Sequence, residues 1–230
     1  MGFEALPERL AQVRAELARR AADPGSVTIV AVTKGFGTDA IQAAIAAGIA
    51  DIGENRVQEA VQKQDALGAG GKGLGIRWHL IGHLQRNKAR VVAGRFALVH
   101  SLDSLELARE LDRRSTTPQR VLLQVNVARE AQKSGCALDD APLLAQQIAA
   151  LGALRLEGLM TLAPLTDDED VQRRTFRGLR LLRDRIKEEE GVWLPTLSMG
   201  MSSDYASAVQ EGATVIRLGT ALFGPREETP

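Results

Sequence analysis

Val121-Leu122-Leu123-Gln124-Val125-Asn126-Val127 is the stretch that separates one α/β architecture from another. Side chains on a strand alternate, so Val121, Leu123, Val125 and Val127 share one face and Leu122, Gln124 and Asn126 the other. A face covered by helices must be apolar, whereas the lining of a closed barrel near its mouth can carry polar groups. On both sides of this stretch, short apolar strands alternate with amphipathic helices. The strands are read near 27–34, 50–53, 77–81, 96–101, 120–127, 154–160, 195–199 and 214–218. The helices are read near 38–48, 55–67, 84–93, 104–114, 139–151, 168–189 and 203–211. Such alternation implies parallel pairing through right-handed crossovers. Eight strands over ~200 residues fit a (β/α)8 TIM barrel better than an open doubly wound sheet, which stays as the alternative. Pro7 opens an extra N-terminal helix, with Leu6, Leu10, Val13 and Leu17 at helical spacing. The expected fold is therefore α/β, a single barrel domain over 1–230.

Composition bounds the function. At 230 residues and 44% hydrophobic, the chain can bury one substantial core. Its 29 basic and 29 acidic residues cancel, which argues against nucleic acid as a partner. One cysteine, Cys136, allows neither an intramolecular disulfide nor a cysteine-based zinc site. The first residues show no basic-then-apolar signal, and Leu6 stands where myristoylation requires Ser or Thr. No apolar stretch approaches the ~20 residues of a membrane span. A cytoplasmic protein with no membrane partner is expected.

The first strand ends on Lys34, on the face that carries Val30 and Val32. A buried ammonium without a partner becomes a nucleophile toward carbonyls, and burial of Lys34 is the expectation; a lysine snorkelling out at a strand end is the plain alternative. Near the other end, Ser198-Met199-Gly200-Met201-Ser202-Ser203-Asp204 joins strand seven to a helix. Free N–H groups and serine hydroxyls there suit an anion, although simple capping by Ser202, Ser203 or Asp204 would also account for them. Strand eight continues into Arg217-Leu218-Gly219-Thr220, where Gly219 permits close backbone approach and Thr220 supplies donors. In barrels a phosphate commonly sits in the loops after strands seven and eight. Arg217 shares its face with Val215 and points into the barrel, where a guanidinium needs an acceptor. A phosphorylated carbonyl compound satisfies all three features. Pyridoxal 5'-phosphate (PLP) is the economical candidate, with its aldehyde on Lys34 as a Schiff base and its ring nitrogen accepting from Arg217.

Other motifs carry less. Gly68, Gly70 and Gly73 match a dinucleotide fingerprint, but the strand and helix around them come in the wrong order, so the patch reads as a loop. His79, His83 and His100 lie at strand ends without an evident carboxylate, and a three-histidine metal site is only a minor alternative. Asp167-Asp168-Glu169-Asp170 starts a helix, where acids complement the dipole.

With these residues in view, the chain resembles the YggS/PROSC family of pyridoxal-phosphate homeostasis proteins. The likeness rests on Val30-Ala31-Val32-Thr33-Lys34, Gly53-Glu54-Asn55-Arg56-Val57-Gln58-Glu59 and the run from Trp78 to Lys88. It continues through Lys133-Ser134-Gly135, Gly158-Leu159-Met160, Ser198-Met199-Gly200-Met201-Ser202 and Arg217-Leu218-Gly219-Thr220. The resemblance implies a fold like the barrel domain of alanine racemase. It also implies Lys34 as the cofactor lysine, Ser202, Gly219 and Thr220 around the phosphate, Arg217 at the ring nitrogen and Asn55 lining the site. Arg56 stands where many members have tyrosine, and Phe36 where some have a second lysine. Lys133 reads as a solvated loop lysine, with a second amine near the mouth as the alternative.

A racemase needs two bases on opposite faces of the substrate carbon. Tyr205, the sole tyrosine, falls in the helix after the phosphate loop and is a poor second base. The chain ends just past strand eight, so the second domain of alanine racemase is expected to be missing. A non-enzymatic PLP carrier serving intracellular PLP homeostasis is therefore expected, as a monomer, with no catalytic residues, no metal and PLP-dependent apo-enzymes as recipients. A PLP-dependent amino-acid racemase and a Schiff-base aldolase of the barrel class are the alternatives.

Overall fold

The computed structural model describes residues 2–68, 73–130 and 132–225. Eight parallel strands close on themselves in sequence order: β1 Thr28–Val32, β2 Asp51–Glu54, β3 Arg77–Leu80, β4 Leu98–Leu102, β5 Gln119–Gln124, β6 Leu154–Met160, β7 Thr196–Met201 and β8 Val215–Leu218. Closure comes from β8 against β1, with Val30 opposite Arg217 and Ala31 opposite Leu218. The open-sheet alternative is thereby removed.

The helices follow the apolar periodicity. The N-terminal helix α1 (Leu6–Arg20) buries Leu6, Leu10, Val13 and Leu17, the four residues its spacing singled out. It packs on α8 (Tyr205–Gln210) and α9 (Thr220–Phe223). Around the barrel run α2 (Thr38–Ala46), α3 (Val57–Ala66), α5 (Leu105–Arg114), α6 (Ala141–Ala149) and α7 (Glu169–Glu190). Between β3 and β4 the expected helix over 84–93 shrinks to a 3-10 turn at Arg86–Lys88 and one turn of α4 at Ala89–Val92. The dipole argument for the acidic run also holds. Asp168 caps α7 by accepting from the N–H groups of Asp170 and Val171, and Glu169 and Asp170 lie in the first turn.

Two cores result from strand alternation. Ala31, Ile52, Leu80, Val99, Leu123, Leu159, Ile216 and Leu218 pack outward under the helices. Leu98, Leu122 and Met160 pack together as a separate cluster. Strand β5 therefore splits as its sequence indicates, with Val121, Leu123 and Val125 in the outer core and Leu122 in the other cluster. It stops at Gln124 rather than Val127, because the chain turns back. Asn126 holds the turn, donating to Glu130 O and accepting from Glu130 N–H, and Cys136 N–H donates to Gln124 O. Burial beside this turn pushes the Cys136 thiol up to about 12. Part of the glycine-rich patch, 69–72, lies outside the described residues. Among the described residues no helix is long and apolar enough to cross a membrane.

Candidate functional site

In a parallel barrel all strands end on one face, and neighbouring strands bring their following loops together. The spatial order β7–β8–β1–β2 thus lines up, in one arc, Ser202 after β7, Gly219 and Thr220 after β8, Lys34 after β1 and Asn55 after β2. Arg217 sits inside the barrel beneath this arc and is 3% exposed.

Lys34 differs from expectation. Strand β1 ends at Val32, and Lys34 stands exposed in the following turn rather than buried. Its neighbours supply the rigidity. Buried Thr33 donates through Oγ1 to Glu54 Oε1 at 2.5 Å, and Gly35 N–H donates to Glu59 Oε1 at 2.6 Å. The Lys63 ammonium, itself buried, donates to Thr33 O (2.7 Å), Glu54 Oε1 (2.6 Å) and Glu59 Oε1 (2.7 Å). Burial pushes the Glu54 carboxyl up despite its bonds from Lys63 and Thr33, and its Oε2 has no partner. On the other side, Phe36 packs against Phe3 and Phe223, with ring centroids 5.9 Å and 5.3 Å away. Lys34 is therefore an exposed side chain on a backbone clamped from both flanks.

The β7 and β8 loops interlock. Ser202 Oγ accepts from the N–H groups of Gly219 (3.2 Å) and Ala221 (3.1 Å). It does not cap α8. Buried Asp204 instead accepts from Met201 N–H at 2.5 Å and closes its own turn. Gly200 makes this turn possible, with φ +95° and Ala208 Cβ only 2.6 Å from where a side chain would begin. Gly219 lies directly on the end of β1, since a Cβ there would meet Val32 O at 3.5 Å. A hydroxyl and a set of helix-start N–H groups thus gather beside Lys34. Asn55 is exposed, and its place is fixed by Gly82, where any Cβ would fall 2.1 Å from Asn55 O.

Arg217 bonds only neutral oxygens: Nη1 donates to Ser198 Oγ (2.6 Å) and Nη2 to Thr161 O (3.0 Å). Burial lowers its pKa to about 10, with Asp204 the acid that opposes the shift. The remaining donors of a buried cation suit an electron-rich acceptor.

The three-histidine alternative and the reading of Lys133 are both tested by the side chains. Among the described residues no group of three or more histidine, cysteine or acidic side chains could hold a metal ion. His79 and His100 meet inside the barrel at 2.9 Å, whereas half-exposed His83 lies 3.4 Å from Asp103. Lys133 is not a solvated loop lysine, because its Nζ donates to Glu130 Oε1 and to Ala163 O, both at 2.7 Å, tying the β5 and β6 loops. Cavities of about 470 Å³ and 370 Å³ open at the opposite, N-terminal end of the barrel, away from Lys34, Ser202 and Thr220, and the smaller one is lined in part by His79.

The family of alanine racemase N-terminal domains matches residues 8–227. A pyridoxal phosphate homeostasis protein of Pseudomonas aeruginosa is 44% identical over 230 residues, covering 96% of each chain. The chain belongs to this family. PipY of Synechococcus elongatus, solved with PLP bound, is 38% identical with a TM-score of 0.84, covering 95% of this chain and 100% of its own. Alanine racemase from Corynebacterium glutamicum, 17% identical with a TM-score of 0.73, covers 99% of this chain and 63% of its own and shares the fold. For a member of this family, the groups that sequence reasoning missed are the supports: Lys63, Glu54 and Glu59 under the Lys34 turn, and Ser198 with the two histidines behind Arg217. A buried position for Lys63 could have been read from its place on the face of α3 that carries Val57 and Ala60.

Proposed function

We propose that this protein binds PLP at the C-terminal mouth of its barrel and serves intracellular PLP homeostasis without appreciable catalysis. The observation that carries the reading is the arc itself: an exposed lysine, a hydroxyl and N–H cluster, and a buried arginine on three consecutive strands. PLP supplies an aldehyde that an amine can capture reversibly. In this reading Lys34 is that amine, and Ser202, Gly219 and Thr220 hold the phosphate. Arg217 donates to the ring nitrogen, and Asn55 lines the edge. The donor set fits the group, with hydrogen-bond donors where an anion is required and a cation that keeps its proton where the pyridine nitrogen accepts.

Two features support a carrier over an enzyme. Arg217 keeps the ring nitrogen unprotonated, which weakens it as an electron sink. Tyr205, the residue with the chemistry of a second base, is half-buried near Glu16, Arg19 and Arg20 of α1, and burial raises its pKa. The reading extends to residues 1–230 as one PLP-binding domain, monomeric and cytoplasmic, with PLP-dependent apo-enzymes as recipients.

Spectroscopic titration with PLP and with pyridoxal tests the phosphate assignment. Ser202→Ala with Thr220→Val is expected to weaken PLP and leave pyridoxal nearly unchanged, each lost charge-assisted bond costing roughly 1.5–3 kcal/mol. Unchanged PLP affinity would move the phosphate elsewhere. Incubation of loaded protein with L-alanine and L-serine, followed by chiral analysis, is expected to show no turnover. Racemisation on the order of 1 per second or faster, lost in Lys34→Ala, would favour the racemase alternative.

A further inference from the structure

The barrel interior holds a hydrogen-bonded chain that the proposed binding chemistry does not use. From the mouth inward, Arg217 Nη1 meets Ser198 Oγ (2.6 Å), Ser198 Oγ meets His100 Nδ1 (2.8 Å), and His100 Nε2 meets His79 Nδ1 (2.9 Å). His79 Nε2 then meets Asp51 Oδ1 (2.9 Å), and Arg77 closes on Asp51 through Nε at 2.7 Å and Nη2 at 2.5 Å. Asp51, Arg77 and His79 line the 370 Å³ cavity at the N-terminal end, so the chain runs the depth of the barrel. Its inner members, Ser198, His100 and His79, are all buried.

One direction for every proton suits both ends. Arginine only donates, so Ser198 Oγ must accept from Arg217. The single hydroxyl proton of Ser198 then goes to His100 Nδ1. Neutral His100 carries its proton on Nε2 and gives it to His79 Nδ1, and His79 gives its own to Asp51. At the far end the same polarity is required, because Asp51 is ionised. Burial would raise its pKa, but hydrogen bonds from His79 and Arg77 hold it at about 2. Burial first, with the nearby Arg217 cation adding to it, pushes His100 well below the ordinary histidine range, so it is neutral. Every hydrogen bond of the chain from Arg217 to Asp51 is made in this one arrangement.

We propose that His100, backed by His79 and Asp51, is a positioning residue: it holds the Ser198 hydroxyl as an acceptor toward Arg217 and so aims the guanidinium at the ring nitrogen of PLP. This rests on the reading that Arg217 faces that nitrogen. Without His100, the Ser198 proton is free to rotate toward Arg217, and the two donors would then oppose each other. The chain thus lets a buried arginine be held on one side by neutral groups alone, keeping its charge for the ligand.

The test compares PLP with its 1-deaza analogue, in which the ring nitrogen is replaced by CH, by titrating ligand-free protein and following the bound chromophore. The readout is the ratio of the two dissociation constants within each variant, which cancels general loss of folding or affinity. Arg217→Met sets the baseline, and the unaltered protein should exceed it by about tenfold or more, the worth of one charge-assisted hydrogen bond. Ser198→Ala and His100→Leu are expected to fall toward the baseline. His100→Gln, whose amide can accept from Ser198 and donate to His79, is expected to keep most of the ratio. If Arg217→Met loses discrimination while His100→Leu retains it, the role of His100 is overturned and the ring-nitrogen reading stands. If Arg217→Met discriminates as well as the unaltered protein, Arg217 does not face the nitrogen and both fall. Should His100→Leu fail to fold, retention of the ratio in Ser198→Ala overturns the proposal by itself.

Discussion

Lys34→Ala is expected to abolish covalent trapping of PLP by borohydride and to weaken PLP binding by about two orders of magnitude, roughly 2.7 kcal/mol. The chain has six lysines, which makes the assignment sharp. Lys63 is buried and committed to three acceptors, and Lys133 is held by Glu130 and Ala163 O. Lys187 lies 4.8 Å over the Trp193 ring on the outside of the barrel. Among the described residues, Lys34 is the one lysine that stands in the arc formed by the loops after β7, β8, β1 and β2. Peptide mass analysis of the reduced protein should therefore place the pyridoxyl group on Lys34. The variant should keep a weak, non-covalent affinity through the phosphate-side donors. Recovery of the adduct only on Lys88 or Lys133 would sink the assignment.

The barrel was legible because strand alternation is a local property. Val121 to Val125 display their two faces in sequence, and Arg217 inherits its inward direction from Val215 by the same rule. The loop positions of Ser202 and Gly219 were legible because parallel strands deliver their following loops to one end. Lys34 shows where such reasoning stops. Alternation was extended two residues past Val32, but the chain leaves the strand there, and the lysine turns out to solvent. The supports were invisible for a different reason. Lys63 and Thr33 are 30 residues apart, and His100 and Ser198 are 98 apart. No periodicity links such pairs; only closure of the barrel does. Phe36 illustrates the same limit, since its departure from a family lysine makes sense once Phe3 and Phe223 are seen around it.

Lys63→Met should be the most damaging single change outside the binding groups, lowering stability near neutral pH by about 3–5 kcal/mol. The substitution keeps much of the volume but removes an ammonium that satisfies two carboxylates and a carbonyl. Glu54, fully buried with Oε2 already unpartnered, would be left as an uncompensated charge. Burial raises its pKa in the folded state, so the sign of the pH dependence follows. A carboxyl whose folded pKa lies above its unfolded value imposes no charge penalty below the unfolded value, and the penalty grows as pH rises. Chemical denaturation should therefore find Lys63→Met closer to the parent at pH 5 than at pH 8. Adding Glu54→Gln removes the charge and should recover part of the loss at pH 8. A Lys63→Met deficit that is independent of pH, and that Glu54→Gln does not relieve, would show that the buried pair is not what the lysine supports. Because Lys63 also holds Thr33 O and shares Glu59 with Gly35 N–H, the same variant should loosen the turn on either side of Lys34. Borohydride trapping at Lys34 should then slow while the phosphate-side preference for PLP over pyridoxal persists, separating the clamp beneath the lysine from the donors beside it.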